Sequence, residues 1–104
     1  MKTNGTENRI IKPTGEETAL PAPRNGRYYV LDELQAFIGG GFIDIVNLDE
    51  HIVMIVDDEY LCKSFAFNDK ATQLYNTMLV LNGHIEFYHV VMGDVAVIDS
   101  RLVR

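Results

Sequence analysis

Residues 31–75, LDELQAFIGGGFIDIVNLDEHIVMIVDDEYLCKSFAFNDKATQLY, encode a helix, a glycine stop, a strand pair and the start of a second helix in unbroken succession. Leu34, Phe37 and Ile38 follow Leu31 at helical spacings, and Asp32 and Glu33 place negative charge at the positive end of the helix dipole. Gly39, Gly40 and Gly41 predict the helix end, because the residue just past an α-helix often takes a left-handed backbone that glycine adopts without steric cost. Residues 42–48 and 52–56 are rich in β-branched side chains, and the short polar piece 49–51 between them predicts an antiparallel hairpin. The first strand alternates loosely, with Asp44 between Ile43 and Ile45. The second is apolar throughout and reads as a central strand covered on both faces. Asp57, Asp58 and Glu59 end it at a second turn.

Towards the C-terminus, residues 65–67 form a brief extended piece and Asn68 has the side chain of an N-cap. Ala71, Leu74, Tyr75, Met78 and Leu79 then make an apolar helical stripe. Two readings stand for its end: the helix stops at Asn82-Gly83, or residues 78–81 begin a strand and Asn82-Gly83 is a two-residue hairpin turn. Residues 84–91 and 94–98 complete the sheet, with Gly93 as a turn or bulge. Towards the N-terminus, residues 28–30 are extended and half-buried, while Pro13, Gly15, Pro21, Pro23 and Asn25-Gly26 restrict the preceding segment to short extended pieces such as 18–20. Residues 9–12 are a short strand, and residues 1–8, polar and without periodicity, read as a disordered tail. The expected fold is a single α+β domain over residues 9–104: a small mixed, mainly antiparallel sheet of about five strands with two helices packed on it.

A chain of 104 residues is one domain, long enough to bury a core and fold alone. Fifteen acidic residues against nine basic ones give a net charge of −6, and no Lys/Arg cluster interrupts it. Direct nucleic-acid binding, which needs a basic footprint, is not expected. Acidity suits solubility, a basic patch on a partner, or imitation of DNA. Cys62, the single cysteine, excludes an internal disulfide and a cysteine-pair zinc site, and fits a reducing compartment. The N-terminus lacks the apolar core of a signal peptide, and no apolar run approaches the roughly 20 residues that span a bilayer. A cytoplasmic location without membrane contact is the expectation.

Chemistry-bearing residues are sparse. His84, Glu86 and His89 are metal-ligand types, but along a strand residues 84 and 86 share a face that 89 does not, so no metal site is expected. The acidic turns at 49–50 and 57–59 lie at opposite ends of one strand, lack the sharp-turn glycine of a calcium loop, and read as solvated charge. Cys62, beside Lys63 and Ser64 and without a neighbouring histidine, reads as a packed structural thiol. The aromatic residues read as core rather than a base-stacking platform, because so few Lys or Arg accompany them. The triple glycine follows a helix and precedes a strand, the reverse of a phosphate loop. No cofactor is implied. If residues line a small-molecule pocket, the candidates are Tyr60, Phe65, Phe67 and Asn68, where a chain turn meets a helix N-terminus.

The succession LDELQAFIGGGFIDIV, IVMIVDDEYL, FAFNDKATQLY and VMGDVAVID resembles a family of small proteins of unknown function encoded by phages, plasmids and conjugative elements. Leu34, Gln35, Gly39, Gly40 and Phe42 fall on that family's helix, glycine pair and strand opening. Asn68, Ala71, Thr72, Leu74 and Tyr75 fall on its second helix, and Gly93 and Asp94 on its last strand. The third glycine at 41 and a longer stretch over 78–87 depart from the pattern. The resemblance covers residues 31–99 and implies a genetic setting without an activity. The expectation is therefore a non-enzymatic accessory protein of a mobile element that binds a host protein or a small molecule. Two alternatives are a small hydrolase or transferase using Asp44, Asp94 or His89 as general base, and an acidic DNA mimic that inhibits a DNA-acting enzyme.

Overall fold

Two hairpins and one lone strand make the sheet. In the computed structural model, which describes residues 8–58, 66–83 and 89–103, β1 (Arg9–Ile11) pairs with β2 (Glu17–Ala19), and β3 (Ile43–Asn47) pairs with β4 (Ile52–Asp57). The last strand, β5 (Val95–Asp99), inserts between the hairpins, giving the order β2-β1-β5-β4-β3 with every neighbouring pair antiparallel. A single parallel bridge, Tyr29 to Val103, lies outside the strands. The α+β class, the five strands and the two helices match the expectation.

Helix α1 (Leu31–Phe37) starts without a side-chain acceptor at its cap, since Val30 has none; instead the Glu33 carboxylate reaches back to the Val30 N–H at 3.0 Å. It ends in a Schellman motif: the Gly40 N–H bonds the Gln35 carbonyl at 2.7 Å and the Gly39 N–H bonds that of Ala36. Both glycines have φ above +90°, which a side chain would strain. Helix α2 (Asp69–Leu81) runs through the ambiguous segment, and Gly83, with φ +85°, stops it. The stop is reinforced by Asn82, whose side-chain amide donates to the carbonyls of Met78 and Leu48, tying the helix end to the end of β3.

The helices lie on opposite faces, and β4 shows why its residues 52–56 are apolar throughout. Val53 and Ile55 pack with Tyr29, Leu34, Ile38, Ala96 and Ile98 under α1. Met54 packs with Ile11, Ala71, Val95 and Val97 under α2, with Ile52, Val56, Leu74, Tyr75 and Met78 around them. Strand alternation thus feeds two cores at once. The hairpin turn between β3 and β4 is held by Asp49, whose Oδ1 accepts from the N–H groups of His51 and Ile52.

Three expectations need correction. Residues 84–91 were expected as a sheet strand; 84–88 lie outside the described residues, and 89–91 run along α2 instead. The physical reason is that α2 carries polar side chains where the extended chain passes: Asn76 donates to the His89 carbonyl and accepts from its N–H, and Thr72 does the same for Val91. Asp57, read as a solvated turn charge, belongs to β4 and is buried. Asn8, assigned to the tail, accepts from the Leu20 N–H through its carbonyl and from the Asp99 N–H through its side chain, which fastens it to both sides of β1.

Candidate functional site

Clamping residues 89–92 onto α2 leaves a concavity between that segment, the helix and the outer strands of the sheet. It measures about 220 Å³ and is lined by Asp44, Val46, Val56, Tyr75 and residues 89–92. Each wall has a sequence cause. Asp44 and Val46 are alternate residues of β3, and Asp44 lies opposite Val56 in the β4 register, so all three face α2. Tyr75 comes from the apolar stripe of α2, and its ring stacks on that of His89 with centroids 4.9 Å apart and planes 19° from parallel. Asn76 donates to the His89 carbonyl at 2.7 Å and accepts from its N–H at 2.9 Å, which holds His89 by its backbone where the imidazole meets the tyrosine.

Asp44 is the conspicuous member. Its neighbours on this face, Val46 along β3 and Val56 and Met54 across in β4, are apolar, and the charged residues that the register places farther along the same face, Arg9, Glu17 and Asp99, are paired with opposite charges. Its carboxylate is exposed at the pocket rim, and no hydrogen bond or ion pair of Asp44 is found among the described residues. Among the described residues the cavity therefore offers aliphatic side chains, a stacked pair of rings and one carboxylate.

Elsewhere several charged groups are matched to one another. A shallower hollow beside α1, lined by Pro21, Arg24, Asp32, Glu33 and Phe37 among others, encloses about 340 Å³. There the Arg24 guanidinium bonds Asp32 at 2.8 Å, holding that carboxyl below its ordinary range. Glu33 is also lowered, first by the Val30 N–H and then by the Arg24 N–H, against the opposing effect of burial. Glu17 is lowered chiefly by Lys70, and Asp99 by Arg101. Burial pushes the Tyr29 phenol up, and its hydroxyl donates to the Pro21 carbonyl. These pairs fasten loops and termini to the sheet.

Of the pocket candidates Tyr60, Phe65, Phe67 and Asn68, the first two lie outside the described residues, as do Cys62, His84 and Glu86. Phe67 is exposed and forms a bridge with Met92. Asn68 is fully buried. Its Oδ1 accepts from the Ala71 N–H, as an N-cap should, while its amide donates to the carbonyls of Ile11 at 2.9 Å and Gly93 at 2.7 Å. Both amide hydrogens are thus spent joining α2 to β1 and to the turn before β5. Of the general-base candidates, Asp44 and His89 line the same cavity, whereas Asp94 does not. Sequence reasoning treated Tyr75 only as core; the signal for its second role is its position three residues after Thr72 and one before Asn76, the pair that seats His89.

Fold and site define a small antiparallel-sheet domain, helix-covered on both faces, with a carboxylate-rimmed cavity beside its second helix. No protein-family model, no curated protein and no solved structure matches the chain. Among the described residues no helix is long and apolar enough to cross a membrane.

Proposed function

We propose that this is a non-enzymatic accessory protein of a mobile genetic element that acts by binding a small ligand or a segment of a host protein in the cavity beside α2. The mobile-element setting rests on the resemblance of residues 31–99. The binding reading is carried by one observation: Asp44, which has no hydrogen bond or ion pair among the described residues, stands beside Val46 and Val56 in the lining of a concavity that the stacked Tyr75 and His89 help to form. A carboxylate without a partner among apolar and aromatic lining residues is the kind of polar group that fixes a ligand's orientation in a pocket. Affinity capture from host lysate, combined with thermal-shift screening of metabolites, tests the reading. Retained protein or a stabilising metabolite is expected for the native chain and not for Asp44→Arg; a native chain that retains nothing and responds to nothing overturns it.

A second reading, a small hydrolase, draws support from Asp44 and His89 lining one pocket, since a carboxylate and an imidazole are the usual parts of proton-transfer machinery. It predicts turnover of ester or phosphoester substrates that falls at least a hundredfold in both Asp44→Asn and His89→Gln. Turnover unaffected by both substitutions excludes it. The DNA-mimic alternative draws less support, because Glu17, Asp32, Glu33 and Asp99 are engaged by basic side chains of the same molecule.

A further inference from the structure

We infer that the cavity beside α2 selects a small organic cation, an amine or amidine attached to a compact apolar or aromatic body. The inference rests on the binding reading above and specifies its ligand class. Three observations converge. The first is charge: among the described residues Asp44 is the acidic group of the lining, and no Lys or Arg accompanies it there. A carboxylate of this kind takes an ammonium or amidinium by a charge-assisted hydrogen bond. The net charge of −6 adds a field of the same sign around the approach.

The second is the rest of the lining. Tyr75 and His89 form a stacked pair, and the aliphatic side chains of Val46 and Val56 lie beside them. Rings and branched aliphatics accept an apolar body. The third is size. An apolar cavity of about 150 Å³ accommodates benzene, so a cavity of about 220 Å³ suits a ligand of roughly nine non-hydrogen atoms. That is a phenyl ring with a short aminoalkyl arm, and it is too small for a nucleotide.

A competing explanation of Asp44 is that an inward-facing charge on a sheet-edge strand discourages edge-to-edge pairing. The two explanations separate experimentally. Phenethylamine, its neutral isostere 2-phenylethanol and the anion 3-phenylpropanoate are titrated into the full chain, and resonances of Tyr75, His89 and residues 90–92 are followed by NMR. The expected result is perturbation of those resonances with at least tenfold tighter binding of phenethylamine than of either other probe. In Asp44→Asn the amine and the alcohol should bind within threefold of each other, while Asp44→Glu, which keeps the charge, should retain the preference. Equal affinity of all three probes for the native chain overturns the inference, as does a preference that survives Asp44→Asn, or perturbation mapping away from the cavity. Self-association of Asp44→Asn with the amine preference intact assigns the residue to edge protection and also overturns it. If none of the probes binds while lysate capture still retains a host protein, the ligand class fails and the binding reading stands.

Discussion

The two faces of the sheet are built from the same strands and are closed in different ways. Under α1, Tyr29, Leu34, Ile38, Val53, Ile55, Ala96 and Ile98 pack with Phe37 edge-on to Tyr29, and the polar groups at the margin are matched: Tyr29 to Pro21, Glu33 to Val30 and Arg24. Under α2, the apolar core is equally dry at Met54 and Val95, but it stops short of the β3 end. There the cover is a strap, residues 89–92, held by side chains of the helix, and beside it stands Asp44. One face spends its polar residues on closing itself. The other spends Asn68, Thr72 and Asn76 on shaping a concavity, so the second face is where recognition can occur without sacrificing the fold.

Neighbouring residues of β4 give the sharpest test of that contrast. Ile55 is fully buried on the closed face, and Ile55→Ala should cost about 3–4 kcal/mol through lost burial and a cavity that α1 cannot collapse to fill. Val56, half-buried in the pocket wall, should cost only about 1 kcal/mol on truncation to Ala, because solvent already reaches that side. Chemical denaturation of both variants reads the difference; equal losses would mean that the α2 face is sealed as tightly as the other.

Next in size is Asn68→Ala. It orphans the Ala71 N–H and two buried carbonyls, those of Ile11 and Gly93, and should cost about 2–3 kcal/mol. Asn68→Asp keeps the cap acceptor but turns an oxygen towards both carbonyls, so it should rescue little. A stability for Asn68→Asp close to the native value would show that the cap alone matters. Thr72→Val, nearly isosteric, removes the hydroxyl that pairs with both polar groups of Val91 and should cost about 1–2 kcal/mol. Hydrogen exchange at the Val91 amide should rise by more than the global loss explains; an unchanged rate would show that the strap holds itself.

What the sequence disclosed follows from how local each cause is. The end of α1 was legible because left-handed backbone at Gly39 and Gly40 is a property of the residues themselves. So was the double cover of β4, since the five-residue run 52–56, without a polar side chain, presents both faces to apolar neighbours. The position of β5 was not, because inserting the last strand between two earlier hairpins depends on contacts from Ile11 to Val95 and from Met54 to Val97 that no spacing encodes. Residues 89–91 have the composition of a strand, and only Thr72 and Asn76, four apart on a helix, reveal that their backbone partners are side chains. Asn68 was read from its cap chemistry alone, while its other two bonds reach 57 and 25 residues away. Asp44 and His89 were each noticed singly; their meeting needed both the hairpin register and the strap.

The smallest effect concerns acid, and it separates the two faces by titration. Glu33 is 8 % exposed, and the N–H groups of Val30 and Arg24 that it accepts hold its folded pKa below the ordinary glutamate value. For a carboxyl with a lowered folded pKa, the stabilisation is complete above the unfolded value and is lost as pH falls through the folded one. The native melting temperature should therefore decline as pH drops below about 4, the ordinary carboxylate range. Glu33→Gln retains an acceptor for one N–H but has no charge to lose, so its melting temperature should be lower at neutral pH and flatter in acid. Asp44→Asn, on the open face, should leave the slope as it is. If Glu33→Gln leaves the acid slope intact, another carboxylate carries it. Asp99, lowered chiefly by Arg101 at the start of the C-terminal turn, is the next to test.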